Sequence, residues 1–421
     1  MKSVPERSRL RMITGISKKH RENLQEDRPV RLRSIPRSVS NRLAPYRPFF
    51  TCTQAQHFNI WCWLLVGLII SGSGQLKALT RCMPSRLAYW TALRMIRAKV
   101  WDEQALLDVM VDDLLYSLPP PKDGLLHVIP DTTRKEKTGE KQPLAYTTKM
   151  GKFEPYLFGH SVLLMIAHWG GFRIPVAVRV INPKIKGHQN ILVREMLRKF
   201  RPPAWCQQVI VEADAGFAAK KTLQLIVELG FYYVFALPRT WKLANGPHLS
   251  DLARCLPKKF YHRLASYKFD GRRRDYWTYS KSAKLSVLGD VTLVLSKRRF
   301  NDPPHKIKLL VTNLPEASTS EILSHFSRRW MVEVTFKEIK SGLHLGQMQV
   351  TKKERRIQRG VALPIMAYLL LLRLYGPELK PGQSASVFAL KQRFIEDTYE
   401  EQFDRTKVRY KKKLEQYKRA A

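Results

Sequence analysis

The segment Pro119-Pro120-Pro121 divides the chain into two regions with different hydrophobic patterns. Before it, apolar residues recur at helical spacing, whereas after it short apolar runs alternate with helical segments. Strands joined first by a hairpin and then by crossover helices are typical of a mixed sheet with helices packed on it. The second region is therefore predicted to be α/β. Its predicted elements are strands at 125–129, 156–169 and 172–181, a helix at 191–200, a strand at 208–213, a helix at 218–229 and a strand at 231–237.

The flanking segments complete a prediction of six parts. Residues 1–48 contain 13 Lys and Arg against 4 Asp and Glu, which predicts a mostly disordered basic arm, although translation could instead start further along the chain. Residues 49–118 are predicted to be helical. The α/β core occupies 122–239 and 306–376, interrupted by an insertion at 240–305 that contains a strand candidate, and residues 377–421 form a basic helical tail.

The first helical region has the pattern of a small DNA-binding unit. Its third predicted helix, residues 86–100, carries Trp90, Leu93 and Ile96 at helical spacing with arginines among them. A helix-turn-helix-like domain would present such a basic helix to DNA. An ordinary helical bundle with solvated arginines fits the same pattern.

The charge of the chain requires a polyanionic partner. There are 74 Lys and Arg against 35 Asp and Glu, a formal net charge of +39. Nucleic acid is the natural partner, because neutralising its backbone releases counterions. A membrane is not expected, since the longest apolar run, residues 60–70, is shorter than the ~20 residues that span a bilayer. Five scattered cysteines without a Cys-x-x-Cys pair argue against a disulfide framework and against a zinc site, so a reduced, cytoplasmic protein is expected.

One acid lies between two cations on a predicted helix. Residues 326–340 lack Gly and Pro, and Ser318 with Glu321 provides a capping box upstream, so a single helix is predicted. At about 100° per residue, Arg329, Glu333 and Lys340 fall within roughly 60° of one another, together with Phe326. Glu338 points about 140° away from Glu333. Solvated ion pairs on an exposed helix face would give the same pattern.

Two further acids follow predicted strands, at the edge where open α/β sheets commonly bind ligands. Asp131 and Asp214 each follow an apolar strand, and Glu333 could reach the same edge from its helix. Three carboxylates without His or Cys at ligand spacing suit Mg²⁺ or Mn²⁺. Two such ions about 4 Å apart would clamp the oxygens of an in-line phosphoryl displacement. Each acid alone is more often a turn cap, and Glu212 or Glu195 could take the same part.

These residues resemble the motifs of bacterial insertion-sequence DDE transposases with an RNase H-like core. One branch of that family has Tyr, two residues, Arg, three residues, Glu, six residues and Lys near its third acid. This chain has Phe326, Arg329, Glu333 and Lys340 at that spacing and departs only in Phe for Tyr. The segments 129–133 and 212–217 are similar to the family's first and second acid strands.

The resemblance implies a fold and a set of site residues. The insertion at 240–305 would be the β-rich domain of this branch, in which Trp277 or Trp241 would stack on a displaced base. Packing in the protein is the alternative role for both tryptophans. Asp131, Asp214 and Glu333 would be the catalytic metal ligands, and phosphates would be contacted by Arg328, Arg329, Lys337 and Lys340.

The reaction implied is hydrolysis at transposon ends followed by attack of the freed 3′-hydroxyl on target DNA. It joins two ends, so a homodimer on double-stranded DNA with terminal inverted repeats is expected, in the bacterial cytoplasm at the nucleoid. Two alternatives remain open at this point. One is a non-catalytic DNA-binding protein derived from a transposase, and the other is a structure-specific nuclease that cuts without joining.

Overall fold

The computed structural model describes residues 32–420, apart from short internal segments. These segments are residues 51–54, 85–88, 99–100, 138–141, 150–155, 268–271, 287, 349–352 and 381–382. Within the described residues, the chain forms helices at both ends and one mixed sheet between them.

The N-terminal part is helical and begins inside the segment predicted as an arm. Val39, Leu43 and Tyr46 are buried, so residues 37–49 are packed against the protein, whereas residues 1–31 lie outside the described part. Five helices follow one another: α1 (Arg37–Leu43), continued by a 3₁₀ segment (Ala44–Phe49), α2 (Ala55–Ile70), α3 (Leu76–Arg81), α4 (Tyr89–Arg97) and α5 (Glu103–Ser117). Asp102 caps α5 by accepting hydrogen bonds from two backbone N–H groups.

The centre of the molecule is a five-stranded unit with RNase H-like topology. Its strands are β1 (Leu125–Glu136), β3 (Tyr156–Trp169), β4 (Phe172–Val180), β5 (Gln208–Ala213) and β6 (Tyr232–Ala236), in the spatial order β4-β3-β1-β5-β6. The first three are antiparallel neighbours and β5 and β6 run parallel to β1. The crossovers carry α6 (His188–Lys199) and α7 (Lys220–Glu228), while the short strand β2 (Ala145–Lys149) pairs with the start of β3. The predicted α/β fold is confirmed.

The insertion extends this sheet instead of forming a separate layer. After α8 (Leu249–Cys255), strands β7 (His262–Tyr267), β8 (Arg273–Leu285) and β9 (Gly289–Lys297) form an antiparallel meander. Strand β10 (Lys308–Thr312) pairs with both β9 and β6. The β-rich insertion is thereby continuous with the edge of the core.

The predicted helix through residues 326–340 is broken at one residue. It consists of α9 (Thr319–Arg328), which has the predicted Ser318–Glu321 capping box, and α10 (Trp330–Gly342). Arg329 stays in the right-handed region, but its N–H bonds to the carbonyl of Phe326, a tighter turn than in an α-helix. The prediction of one uninterrupted helix is wrong, and the junction falls on a residue of the motif.

Two further helices complete the fold. Helix α11 (Glu354–Tyr375) is buried against α2, α5 and β4, and α12 (Val387–Ala420) is the long basic tail helix. The segment 354–378 is long and apolar enough to cross a membrane by length and composition, but most of it is buried inside the protein. It is therefore the core helix that joins the N-terminal helices to the sheet.

Candidate active site

The register of β1 and β5 places the two candidate aspartates side by side. The strands are parallel neighbours with Val128 opposite Val211, and each aspartate follows three residues later. Asp131 still lies within β1, whereas Asp214 is the first residue after β5. The pairing register therefore places the two aspartates side by side where β5 ends, but the prediction that Asp131 follows its strand is wrong, because β1 continues to Glu136.

Arg329 brings the third acid to this edge. Its Nη1 atom lies 2.8 Å from Glu333 Oε1 and 3.4 Å from Asp131 Oδ2, and its Nε atom lies 3.1 Å from Asp214 Oδ1. One guanidinium thus pairs with a carboxylate from each of β1, the β5 end and α10. Arg329 stands at the junction of α9 and α10, so the residue that joins the two helices is also the one that contacts the three carboxylates.

The three carboxylates differ in exposure. The Asp131 side chain is 17% exposed, Glu333 34% and Asp214 48%. Burial raises the pKa of Asp131 to about 6, with further increases from the charges of Asp214 and Glu333. The Thr132 N–H donates to Asp131 Oδ1 and Arg329 pairs with it, and both act in the opposite direction on this pKa.

The donor set fits hard divalent cations. All three candidate ligands are carboxylates, which Mg²⁺ and Mn²⁺ prefer, and all three pair with Arg329. Among the described residues, the ligand group whose atoms all lie within 4.8 Å of one another is a different one, discussed below.

The rival acid Glu338 has a structural role. It pairs with Arg173 at 2.9 Å and accepts from the backbone N–H of Val387. It therefore fastens α10 to β4 and to the start of α12, away from the three carboxylates, as its position on the helix predicts.

The four predicted phosphate-binding residues have different environments. Lys337 is exposed, whereas Lys340 bonds to Thr133 Oγ1 and to the Arg134 carbonyl of β1. Burial and the charge of Lys135 lower the pKa of Lys340. Arg328 lies near buried histidines, on whose pKa values its charge acts, and Arg329 is held by the carboxylates. Of the four, only Lys337 faces solvent freely.

A basic cleft of about 420 Å³ adjoins the carboxylates between β8–β10 and α9. The side chain of Trp330, the residue after Arg329, is 55% exposed on its wall, opposite Tyr276. The predicted stacking residues are placed differently: Trp277 packs on Phe300 with ring centroids 4.5 Å apart, and Trp241 is half-buried. Trp330 is not among the stacking residues predicted from the sequence, although it lies between Arg329 and Glu333 of the motif. The basic residues that line the cleft are Arg274, Lys297, Arg298, Lys306, Lys308 and Arg329.

A second polar cluster lies deeper on the same elements. His127 Nδ1 is 2.8 Å from Glu212 Oε1, and His325 Nδ1 is 3.8 Å from the same oxygen. Burial raises the pKa of Glu212 well above its usual range and lowers the pKa of His127, while His325 falls to a pKa of about 4 for the same reason. Nothing in the spacing of residues 127, 212 and 325 predicts this cluster, because it depends on the register of three separate elements.

An RNase H-like sheet with one carboxylate within β1, one directly after β5 and one on a later helix defines a class of metal-dependent nucleic-acid enzymes. The model of the Transposase DDE domain family matches residues 146–370, which include Asp214 and Glu333 and begin after Asp131. This match covers more than half of the chain, and the protein belongs to that family of metal-dependent DNA-cleaving enzymes.

The fold also has similarity to solved structures of low sequence identity. The piggyBac transposase synaptic complex with hairpin DNA, determined by cryo-EM, is similar with a TM-score of 0.47 and 10% sequence identity. The similarity covers 89% of this chain and 78% of that chain. Among curated proteins, no match is found.

Proposed function

We propose that this protein is a cut-and-paste DNA transposase that cleaves the ends of a mobile element and joins the freed 3′-hydroxyl ends to target DNA. The observation that supports this proposal is the convergence of Asp131, Asp214 and Glu333 on Arg329. Membership of the Transposase DDE domain family supports the same class of chemistry.

Asp131, Asp214 and Glu333 are the proposed ligands for two Mg²⁺ or Mn²⁺ ions. When bound, such ions activate the attacking oxygen and stabilise the leaving oxygen of a phosphodiester. The Thr132 N–H fixes one oxygen of Asp131 and leaves the other directed to the site. Water and the 3′-hydroxyl can serve in turn as nucleophile, so the chain needs no covalent intermediate.

Arg329 has a proposed role in both the free and the DNA-bound protein. In the free protein its charge offsets the repulsion among three carboxylates. A phosphate at the sheet edge would compete with those carboxylates for the guanidinium, which favours bidentate contacts with phosphate. Lys337 is the proposed backbone contact on α10, and Arg328 and Lys340 contribute positive potential from positions held by protein contacts.

The proposed path of DNA joins the basic cleft to the N-terminal helices. Helix α4 exposes Trp90, Arg94 and Arg97, which suits the DNA-binding role proposed for residues 49–118. Trp277 and Trp241 remain candidate partners for a displaced base, and Trp330 joins them. Terminal inverted repeats and target DNA are the proposed partners, bound by a homodimer in the bacterial cytoplasm because two ends must be joined. Residues 377–421 would add backbone contacts.

The decisive experiment uses the DNA that flanks the reading frame. A substrate carrying the bracketing inverted repeats is incubated with purified protein and Mg²⁺, and both nicking and joining to a target plasmid are measured. We expect both products with the wild type and neither with Asp214→Ala. The matched control is Asp251→Asn, which removes a carboxylate paired with Arg254 on α8 and should leave both products unchanged.

Three results would contradict the proposal. Binding of the repeats without any metal-dependent nicking would indicate a non-catalytic DNA-binding protein. Nicking without joined products would indicate a nuclease. Full activity in Asp214→Ala would place the chemistry at another site.

A further inference from the structure

A buried cluster of metal-binding side chains lies behind the three carboxylates. His127 on β1, Glu212 on β5 and His325 on α9 each offer one ligand atom, and these atoms all lie within 4.8 Å of one another. The side chains of His127, Glu212 and His325 are 3%, 0% and 15% exposed. We infer that this cluster binds one divalent metal ion that accepts both nitrogen and oxygen ligands, as Zn²⁺ does, and that the bound ion has a structural role.

The hydrogen bonding of the cluster is incomplete. His127 Nδ1 contacts Glu212 Oε1, but Glu212 Oε2 and His325 Nδ1 have no hydrogen-bond partner. A fully buried carboxylate oxygen without a partner has lost its hydration and gained no hydrogen bond in exchange, which destabilises the folded protein. A cation bound between the Glu212 carboxylate and His325 would give the His325 Nδ1 atom the partner that it lacks.

The distances are close to those of a coordinated ion. Zinc holds imidazole nitrogen and carboxylate oxygen about 2.0–2.2 Å away, so its ligand atoms lie about 3.3 Å apart in a tetrahedron. The His325–Glu212 separation of 3.8 Å needs only a small contraction, and His325 is the most exposed of the three side chains. Two imidazoles and one carboxylate favour Zn²⁺ over Mg²⁺, which prefers oxygen and retains its waters.

One feature of the surroundings opposes a cation. The charge of Arg328 acts on both His127 and His325. Arg328 is therefore the competing source of positive charge for Glu212. The inferred occupant of the cluster is the metal ion, and the experiment distinguishes the two.

The inferred site would fasten together the elements that carry the carboxylates. Glu212 precedes Asp214 by two residues, His127 precedes Asp131 by four, and His325 precedes Arg329 by four. A cation bound here would fix the register of β1, β5 and α9 without touching the scissile DNA. The inference does not depend on transposition, since it concerns metal content and stability.

Zinc content of the full chain tests the inference. The double variant Asp131→Asn/Asp214→Asn removes two carboxylates of the candidate active site, so zinc that it retains after dialysis is held elsewhere. We expect about one zinc per chain in this background by elemental analysis, and loss of it when His325→Gln is added. The control His160→Gln changes a buried histidine outside the cluster that bonds to the Pro143 carbonyl, and it should keep the zinc.

A second measurement needs no variant. Zn²⁺ should raise the melting temperature of the wild-type protein, and Co²⁺ in its place should give the visible absorption of a four- or five-coordinate ion with nitrogen ligands. A zinc-free double variant, or wild type without these Co²⁺ bands, overturns the inference and leaves Arg328 as the counter-charge of Glu212. Inactive protein that still holds zinc would refute the proposed function and leave this site standing.

Discussion

The two polar clusters at this end of the sheet are built on the same segments of the chain but differ in depth. Asp131, Asp214 and Glu333 surround the Arg329 guanidinium at a partly open edge, whereas His127, Glu212 and His325 lie closed inside the protein. The outer cluster consists of carboxylate oxygens that are accessible to solvent. The inner cluster mixes nitrogen and oxygen donors and has little access to water.

The segments around β1 and β5 each contribute one residue to the exposed cluster and one to the buried cluster, and the two clusters are expected to have different roles. Asp214, directly after β5, is 48% exposed, whereas Glu212, two residues earlier within β5, is 0% exposed. An accessible acid can exchange partners during a reaction, whereas a buried one must keep its partner or lose free energy. We therefore expect outer substitutions to change activity and inner ones to change folding.

The largest expected effect concerns Glu333. Glu333→Gln keeps the shape of the side chain but removes a charge from the proposed metal site, so metal-dependent nicking should fall by at least ~10². DNA affinity, measured by fluorescence anisotropy, should change little. The comparison variant Glu338→Gln should lower stability by weakening the Arg173 contact and should leave the nicking rate near that of the wild type. The reverse pattern would assign the chemistry to Glu338.

The next effect concerns the inner cluster. His127→Ala removes the hydrogen bond to the fully buried Glu212 and leaves a cavity, so the free energy of unfolding should fall by about 3 kcal/mol. Urea denaturation measures this change. Asp214→Asn serves as the outer comparison and should alter stability by about 0.5 kcal/mol or less. Equal losses in both variants would remove the distinction between the clusters.

A smaller effect is expected in the pH dependence of stability. Because burial raises the pKa of Asp131 to about 6, the folded protein binds this proton more tightly than the unfolded chain does. The contribution of Asp131 to stability therefore falls as pH rises from about 4 to 6. In metal-free buffer, Asp131→Asn should become more stable relative to the wild type by about 2 kcal/mol across this interval. Parallel stability curves for the two proteins would contradict the assigned pKa.

The smallest effect concerns the exposed aromatic residue beside the outer cluster. Trp330→Ala should weaken binding to DNA with unpaired terminal bases by about 1–2 kcal/mol, since each stacked base contributes on that order. The melting temperature should be unchanged, because the side chain is 55% exposed. Tyr116→Ala, which removes an aromatic residue that is 74% exposed on α5, is the matched control and should bind normally. Equal affinity in the two variants would exclude stacking at residue 330.

Much of the fold follows from the sequence because its signals are local. Strand β5 has the predicted bounds, the hairpin turns at Gly170 and Gly171, and Ser318 caps α9 as its spacing with Glu321 predicts. Each feature depends on residues close together in the chain. The closeness of Asp131 and Asp214 also follows from placing their strands side by side, whereas the continuation of β1 to Glu136 does not follow from its apolar run, which ends at Ile129.

Other features depend on contacts between distant segments. No Gly or Pro near Arg329 indicates the break between α9 and α10. The Arg329 guanidinium pairs with Asp131 and Asp214, which lie far away in the sequence. The contact between His127 and Glu212 depends on the register of β1 against β5, which the hydrophobic periodicity of the sequence does not specify. The addition of β7–β9 to the core sheet likewise depends on the pairing of β10 with β6.

Helix α11 has a consequence for dissecting the molecule into pieces. Its Arg359 is 1% exposed and pairs with Glu103, while its Nη1 donates to the carbonyl of Ile96, both from the N-terminal helices. Deleting the N-terminal helices would leave the Arg359 guanidinium without Glu103 and the Ile96 carbonyl. It would also expose an apolar helix that is long enough to cross a bilayer. A truncated catalytic fragment should therefore aggregate or sediment with membranes during expression.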